Sequence, residues 1–304
     1  ILSENIQKWG NGNTIVTHNT AEEYGERCKH LFDCILVDAP RTGEGMFRKD
    51  EQARSEWSLK AVKMCAERQR SILMDVWDAL KPGGILVYST CTFNEEENEK
   101  NVEWLAETLG ADVLPIDYDP SWGITEGNMG YHFYPHKTKG EGLYICALRK
   151  HAGAVEPIKV KSPKKEPNMS HPEYMPVMRS WLQHPDDWAI RYSDRFATAY
   201  PYKYKEIIDW LSTQLTCIST GFGLGEERGK GIAPQHSLSM LKDLRKEAFP
   251  LVSLTREQAL SYLRTEALVL NDVPLGLVLL TYEGVPLGFA KNVGNRMNNL
   301  YPNE

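Results

Sequence analysis

The segment from Ile85 to Val102, ILVYSTCTFNEEENEKNV, constrains this chain more than any other. Ile85-Leu86-Val87-Tyr88 is a short apolar run, preceded by the turn Lys81-Pro82-Gly83-Gly84. A continuous apolar run between helical patterns predicts a parallel strand covered on both faces. Ser89, Thr90, Cys91 and Thr92 then fall at the carboxyl end of that strand, where open α/β sheets place their ligands. Thr92 or Asn94 is the expected cap of the next helix, with Glu95 or Glu97 as its capping-box partner. Glu95, Glu96 and Glu97 would then occupy the first turn, at the positive end of the helix dipole. Cys91 is thus expected at a rim rather than in a core.

Most lone cysteines are small buried hydrophobes. Of Cys28, Cys34, Cys65, Cys91, Cys146 and Cys217, most should be of that kind. Their scattered spacing predicts neither a disulfide framework nor a metal site, and a reducing, cytoplasmic setting is the simplest expectation. No apolar run approaches the roughly 20 residues that span a bilayer, so no membrane partner is expected.

A length of 304 residues predicts two or three domains. Charge divides unevenly. Residues 1–150 hold 17 Lys+Arg against 24 Asp+Glu, and residues 151–304 hold 18 against 17. Any nucleic-acid contact must therefore come from local patches rather than net charge. The chain opens on Ile1 within a helical spacing (Ile1, Leu2, Asn5, Ile6, Trp9) and closes at Leu300-Tyr301-Pro302-Asn303-Glu304. We read this as a fragment cut at both ends.

In order along the chain, Thr14–Thr17 and Phe32–Asp38 are strand candidates. The second ends in Asp38-Ala39-Pro40 and the loop Arg41-Thr42-Gly43-Glu44-Gly45, whose glycines suit close approach to something flat or phosphorylated. Trp57–Leu80 predicts one long helix, with Leu59, Val62, Met64, Ile72, Leu73, Val76 and Leu80 as its apolar stripe. Further strands are expected near Asp112–Ile116 and at Gly142–Leu148. Strand–helix–strand alternation predicts a parallel, doubly wound α/β sheet over residues 1–150, with Asp38 and Cys91 on one rim.

Lysines interleaved with prolines make 151–170 a linker. Residues 171–235 form a small α+β unit, with strands within Trp188–Ala199 and a helix over Tyr204–Leu215. The glycine-rich run Gly221–Gly231 lacks the Lys-Ser/Thr ending of a phosphate-binding P-loop. Residues 236–304 carry a helix around Gln235–Lys246, another at Arg256–Leu263, and a hairpin turning at Glu283-Gly284. This small β-rich module, with Lys291, Asn292, Asn295 and Arg296 exposed, suits RNA binding by shape and backbone contacts.

VDAPRTGEGMFRKD (37–50), the helix with Gln69, KPGGILVYSTCTFNEEEN (81–98) and YPHKTKGEGLYICALRK (134–150) together resemble the NOL1/NOP2/Sun RNA cytosine-5 methyltransferases. GFGLGEERGKGIAPQHSLSM (221–240) and the tail resemble the middle unit and PUA-like RNA-binding end of a bacterial branch that acts on 16S rRNA. The resemblance covers essentially the whole chain. It implies a Rossmann-like, S-adenosylmethionine-dependent domain, N-terminally incomplete here, and a ribosomal RNA substrate of the small subunit. A single copy is expected.

By the same resemblance Cys91 is the nucleophile that adds to cytosine C6, which makes C5 enamine-like. Asp38 lies between base and cofactor and can stabilise charge or a proton at the cytosine edge. Pro40 shapes the base pocket. The family's main cofactor loop is expected before Ile1. A cysteine usual after Asp-Ala-Pro, implicated in product release, is replaced by Arg41, which we read as a substrate-side residue able to favour a thiolate or hold a phosphate. Thr20 stands where relatives carry an aspartate beside the cofactor. These departures keep a second reading open, a non-catalytic RNA-binding relative. A third is a thiol enzyme with His132 or His136 as its base.

Overall fold

The computed structural model describes residues 1–154, 160, 172–229 and 231–302. The expected linker over 151–170 lies largely outside the described residues. The chain forms two compact units, Asn19–Lys159 and Ile1–His18 together with Val160–Glu304. Helix α1 (Leu2–Lys8) and strand β1 (Ile15–Thr17) therefore belong with the later residues. β1 pairs antiparallel with a strand some two hundred residues on, Ile15 facing Thr220.

The Asn19–Lys159 unit holds α2 (Ala21–Arg27), β2 (Phe32–Asp38), α3 (Glu51–Glu56), α4 (Leu59–Trp77), β3 (Leu80–Thr90), α5 (Glu99–Leu105), β4 (Ala111–Leu114), β5 (Thr125–Gly127), β6 (Gly130–Phe133) and β7 (Leu143–Lys150). The sheet order is β2-β3-β7-β6-β5, with β4 also on β7. β2 and β3 run parallel, joined through α4, and Asp38 lies opposite Ser89. The remaining pairs in this sheet are antiparallel, so the sheet is mixed rather than wholly parallel. The β5–β6 hairpin was not foreseen: it is short, and Gly127 and Gly130 weaken its alternating pattern.

Burial explains why these segments take these forms. β3 alternates strictly where it crosses the core, with Leu86 and Tyr88 fully buried and Ile85 and Val87 less so. Helix α4 is capped by Ser58, whose hydroxyl accepts from the Ala61 amide at 3.1 Å. It lays Leu73, Val76 and Trp77 on the sheet, and Val62 is buried as well. Leu59 and Met64, expected in the same stripe, are 72% and 60% exposed. The buried face instead uses Ala66 and Gln69, so the apolar pattern alone misplaced the helix rotation. Leu80 is not helical but opens β3.

The other unit contains α6 (Met175–Ser180), β8 (Trp188–Ser193), β9 (Phe196–Pro201), α7 (Lys205–Gln214), β10 (Cys217–Thr220), β11 (Phe222–Arg228), β12 (Gly231–Pro234), α8 (His236–Met240), β13 (Leu251–Ser253), α9 (Arg256–Leu263), β14 (Gly276–Tyr282), β15 (Val285–Asn292) and β16 (Met297–Asn299). The glycine-rich stretch supplies the antiparallel β11–β12 pair. β11, β12, β9 and β8 form one sheet, and β13–β16 another. One apolar cluster unites Met178, Trp181, Leu224, Leu238, Phe249, Leu279 and Phe289. The middle and C-terminal segments thus share a core.

Candidate active site

Two strand ends build the site. β2 ends at Asp38 and the parallel β3 ends at Thr90, so the backbone delivers Asp38 and Cys91 to the same edge of the sheet. The Ala39 amide donates to the Ser89 carbonyl at 2.9 Å, extending the pairing past Asp38. Ser89 Oγ donates to Asp38 Oδ1 at 3.3 Å. Asp38 is otherwise exposed, so its carboxylate keeps acceptor capacity toward solvent. Cys91 is partly exposed and not disulfide-bonded. The Arg41 guanidinium donates through Nε to Cys91 Sγ in a close contact. That places positive charge beside the sulfur.

A buried polar network fixes the two loops that carry these groups. The Gly45 amide donates to the Cys91 carbonyl at 2.9 Å, and a Cβ at Gly45 would collide with that oxygen. The glycine expected to meet a ligand therefore permits a loop-to-loop contact instead. Glu44, nearly buried, accepts from Thr92 Oγ1 at 2.6 Å, the Phe93 amide at 2.7 Å, Trp57 Nε1 at 2.9 Å and Asn94 Nδ2 at 3.1 Å. Burial pushes the Glu44 carboxyl upward, but these bonds outweigh it and hold the group below its ordinary range.

Glu97 was expected on the first exposed turn of a helix. It is fully buried, and α5 begins only at Glu99. Residues 95–98 form a turn, and Asn94 Oδ1 just before it accepts from the Glu97 amide at 2.9 Å. Asn98, at the N-cap of α5, makes no side-chain cap; its Oδ1 accepts from Thr90 Oγ1 and its Nδ2 donates to the Thr92 carbonyl. The Glu97 carboxylate accepts from both the amide and the hydroxyl of Thr42, from Gln69 Nε2 at 2.7 Å and from Asn94 Nδ2 at 2.9 Å. Helix α4 thereby supports the loop, because Gln69 Nε2 also donates to the Pro40 carbonyl at 2.8 Å. Tyr88 and Asn101 complete the network through Gln69 Oε1.

The structure brings together Asp38, Pro40, Arg41 and Cys91. Thr20 has a local role: it caps α2, with its hydroxyl accepting from the Glu23 amide and its own amide donating to the Glu23 carboxylate. His132 is bonded by Glu99 through Nε2 and His136 stacks on Tyr134. Among the described residues the side-chain partner of the Cys91 sulfur is Arg41, not a histidine, which removes the support for a Cys–His thiol enzyme. Glu44 and Glu97 were missed as buried site residues. Charged residues between glycines or in acidic runs ordinarily face water, and only the nearby Thr, Asn and Gln donors hint otherwise. No helix among the described residues is long and apolar enough to cross a membrane. No group of His, Cys, Asp and Glu suited to a metal occurs among them.

The family model for the 16S rRNA methyltransferase RsmB/F matches residues 1–149, and that for the methyltransferase RsmF PUA domain matches residues 249–304. The chain belongs to this RsmB/F family of RNA methyltransferases. Among curated relatives it is similar to the ribosomal RNA small subunit methyltransferase F of Aliivibrio fischeri (strain MJ11), 32% identical over 318 residues. It is likewise similar to the protein of the same name from Klebsiella pneumoniae (strain 342), 31% identical over 313 residues. All of this chain is matched in both, and it spans 66% and 65% of their respective lengths. Among solved structures it is similar to NSun6 from Pyrococcus horikoshii with SFG, at 30% identity and a TM-score of 0.40, covering 49% of this chain and 38% of that one.

Proposed function

We propose that the protein to which this chain belongs methylates C5 of a cytosine in 16S ribosomal RNA, using S-adenosylmethionine. The observation that carries this reading is the shared rim of Asp38 and Cys91, reached by two parallel, hydrogen-bonded strand ends. The cofactor, when bound, supplies an electrophilic methyl group. The exposed acceptor face of Asp38 fits a group that brings N–H or O–H donors, whereas the Thr20 hydroxyl is already engaged in its helix cap.

In this reading the Cys91 thiolate adds to C6 of the cytosine. The C5=C6 electron pair moves toward C5, which then bonds to the transferred methyl. Solvent water then takes the C5 proton, the C5–H pair re-forms the C5=C6 bond, and the C6–S pair leaves with the Cys91 sulfur as thiolate. Asp38 stabilises the protonated base edge while the adduct exists. Arg41 complements the charge of the thiolate before attack, and must swing off the sulfur as the base arrives. The base reaches the sulfur only when unstacked from its neighbours.

The second reading, an RNA-binding relative without catalysis, is favoured by one contact: Arg41 occupies the face of the very sulfur that must react. The test uses the full-length parent protein, labelled S-adenosylmethionine and 16S rRNA. Methyl transfer that disappears in Cys91→Ser and falls by at least a hundredfold in Asp38→Asn is expected. Unimpaired transfer by Cys91→Ser would refute the covalent route. RNA binding with no transfer by the wild type would establish the second reading.

A further inference from the structure

We propose that the loop carrying Tyr134 and His136 is a stacking platform for an RNA base next to the target cytosine. The proposal rests on the RNA-methyltransferase reading above. Three rings gather on Tyr134, two of them stacked on it and one tilted beside it. Phe93, two residues past Cys91, lies 6.0 Å from Tyr134. Buried His132 stacks on Tyr134 at 5.0 Å with the rings 3° from parallel. Tyr134 stacks in turn on His136 at 5.5 Å and 25°. His136 is exposed and ends the ladder.

The ladder is built rather than incidental. The Tyr134 carbonyl accepts from the amides of Lys137 and Thr138, both at 2.9 Å, and from Thr138 Oγ1 at 3.1 Å. Pro135 fixes the backbone within that turn. Lys137 Nζ donates to Thr125 Oγ1 at 2.9 Å, tying the loop to β5. Beside the stack Phe93 lies flush against Gly142, whose φ of +108° and missing Cβ leave room for the ring. Glu99 bonds His132 from behind and fixes the ring plane.

A rigid aromatic face beside a pyrimidine-handling thiol suits a nucleobase. Every base has a π-face, and stacking holds a strand without reading its sequence. Lys139, exposed three residues beyond His136, suits a phosphate of the same strand. A base held there would keep the target's neighbour from restacking, which favours the extruded cytosine. His136 thus serves as a binding residue and Tyr134 as its positioning residue.

The test is fluorescence titration of the protein with a short uridine-rich RNA that carries one cytidine flanked on each side by 2-aminopurine. The wild type should bind and change the 2-aminopurine emission. His136→Ala should bind about tenfold more weakly and lose the emission change, with its salt dependence unaltered. His136→Phe should restore both. Binding and emission unchanged in His136→Ala would overturn the platform while leaving the RNA reading intact. No binding of this RNA or of 16S rRNA by the wild type would overturn the RNA reading, and the platform with it.

Discussion

Gln69 and Glu97 meet directly: the amide Nε2 of a fully buried helical glutamine donates at 2.7 Å to the carboxylate of a fully buried turn residue. That same nitrogen holds the Pro40 carbonyl. One side chain therefore fastens both loops of the site to α4. The arrangement turns a local polar contact into a determinant of where Asp38 and Cys91 stand.

Glu97→Ala should destabilise the Asn19–Lys159 unit by about 3–5 kcal/mol, because it strands buried donors on Gln69, Thr42 and Asn94. Urea unfolding read by tryptophan fluorescence measures this. A loss within experimental error of zero would mean the network forms no part of the fold's stability.

Glu44 makes stability depend on pH. Its carboxyl lies below the ordinary glutamate range in the folded chain, so the folded state binds that proton less readily than the unfolded one. The stabilisation is present above the unfolded value and disappears as pH falls through the lower folded value. The stability gap between wild type and Glu44→Gln should therefore be full at neutral pH and close on acidification below about 4.5. A gap that widens there would reverse the assignment.

The six cysteines should differ sharply toward iodoacetamide in the native state. Burial raises Cys28 to about 11 and Cys146 to about 12, and both side chains are sealed. Cys34 is exposed and Cys91 partly so. Mass spectrometry should find Cys34 modified early, and Cys28 and Cys146 modified only after denaturation.

By the resemblance drawn from the sequence, Arg41 replaces a cysteine implicated in product release, and it touches the proposed nucleophile. If release is slow for that reason, the full-length protein should accumulate a denaturation-resistant RNA adduct during turnover. Arg41→Cys should lower its level on a gel. An unchanged level would leave Arg41 with a different duty.

Much of this was legible in the residues. The apolar run before Ser89 and the Asp-Ala-Pro after Val37 were enough to expect two strand ends on one rim. Helix α9 falls on the expected Arg256–Leu263. What the sequence hid was long-range or counter-intuitive. β1 finds its partner at Cys217–Thr220, a pairing no local pattern encodes. The EEEN run reads as a solvated helix start, yet Glu97 is internal because donors from three separate segments converge on it. α4 exposes Leu59 and Met64 because a buried glutamine, not an apolar residue, faces the loops.

The apolar cluster joining Met178 and Leu224 to Leu279 and Phe289 has a practical corollary for anyone dissecting the later residues. A cut near residue 235 would not release a free-standing tail. It would bare half of a common interior on each piece, and each piece would be prone to clump. Residues matched to the PUA model are best expressed together with the strands that precede them, as one indivisible block.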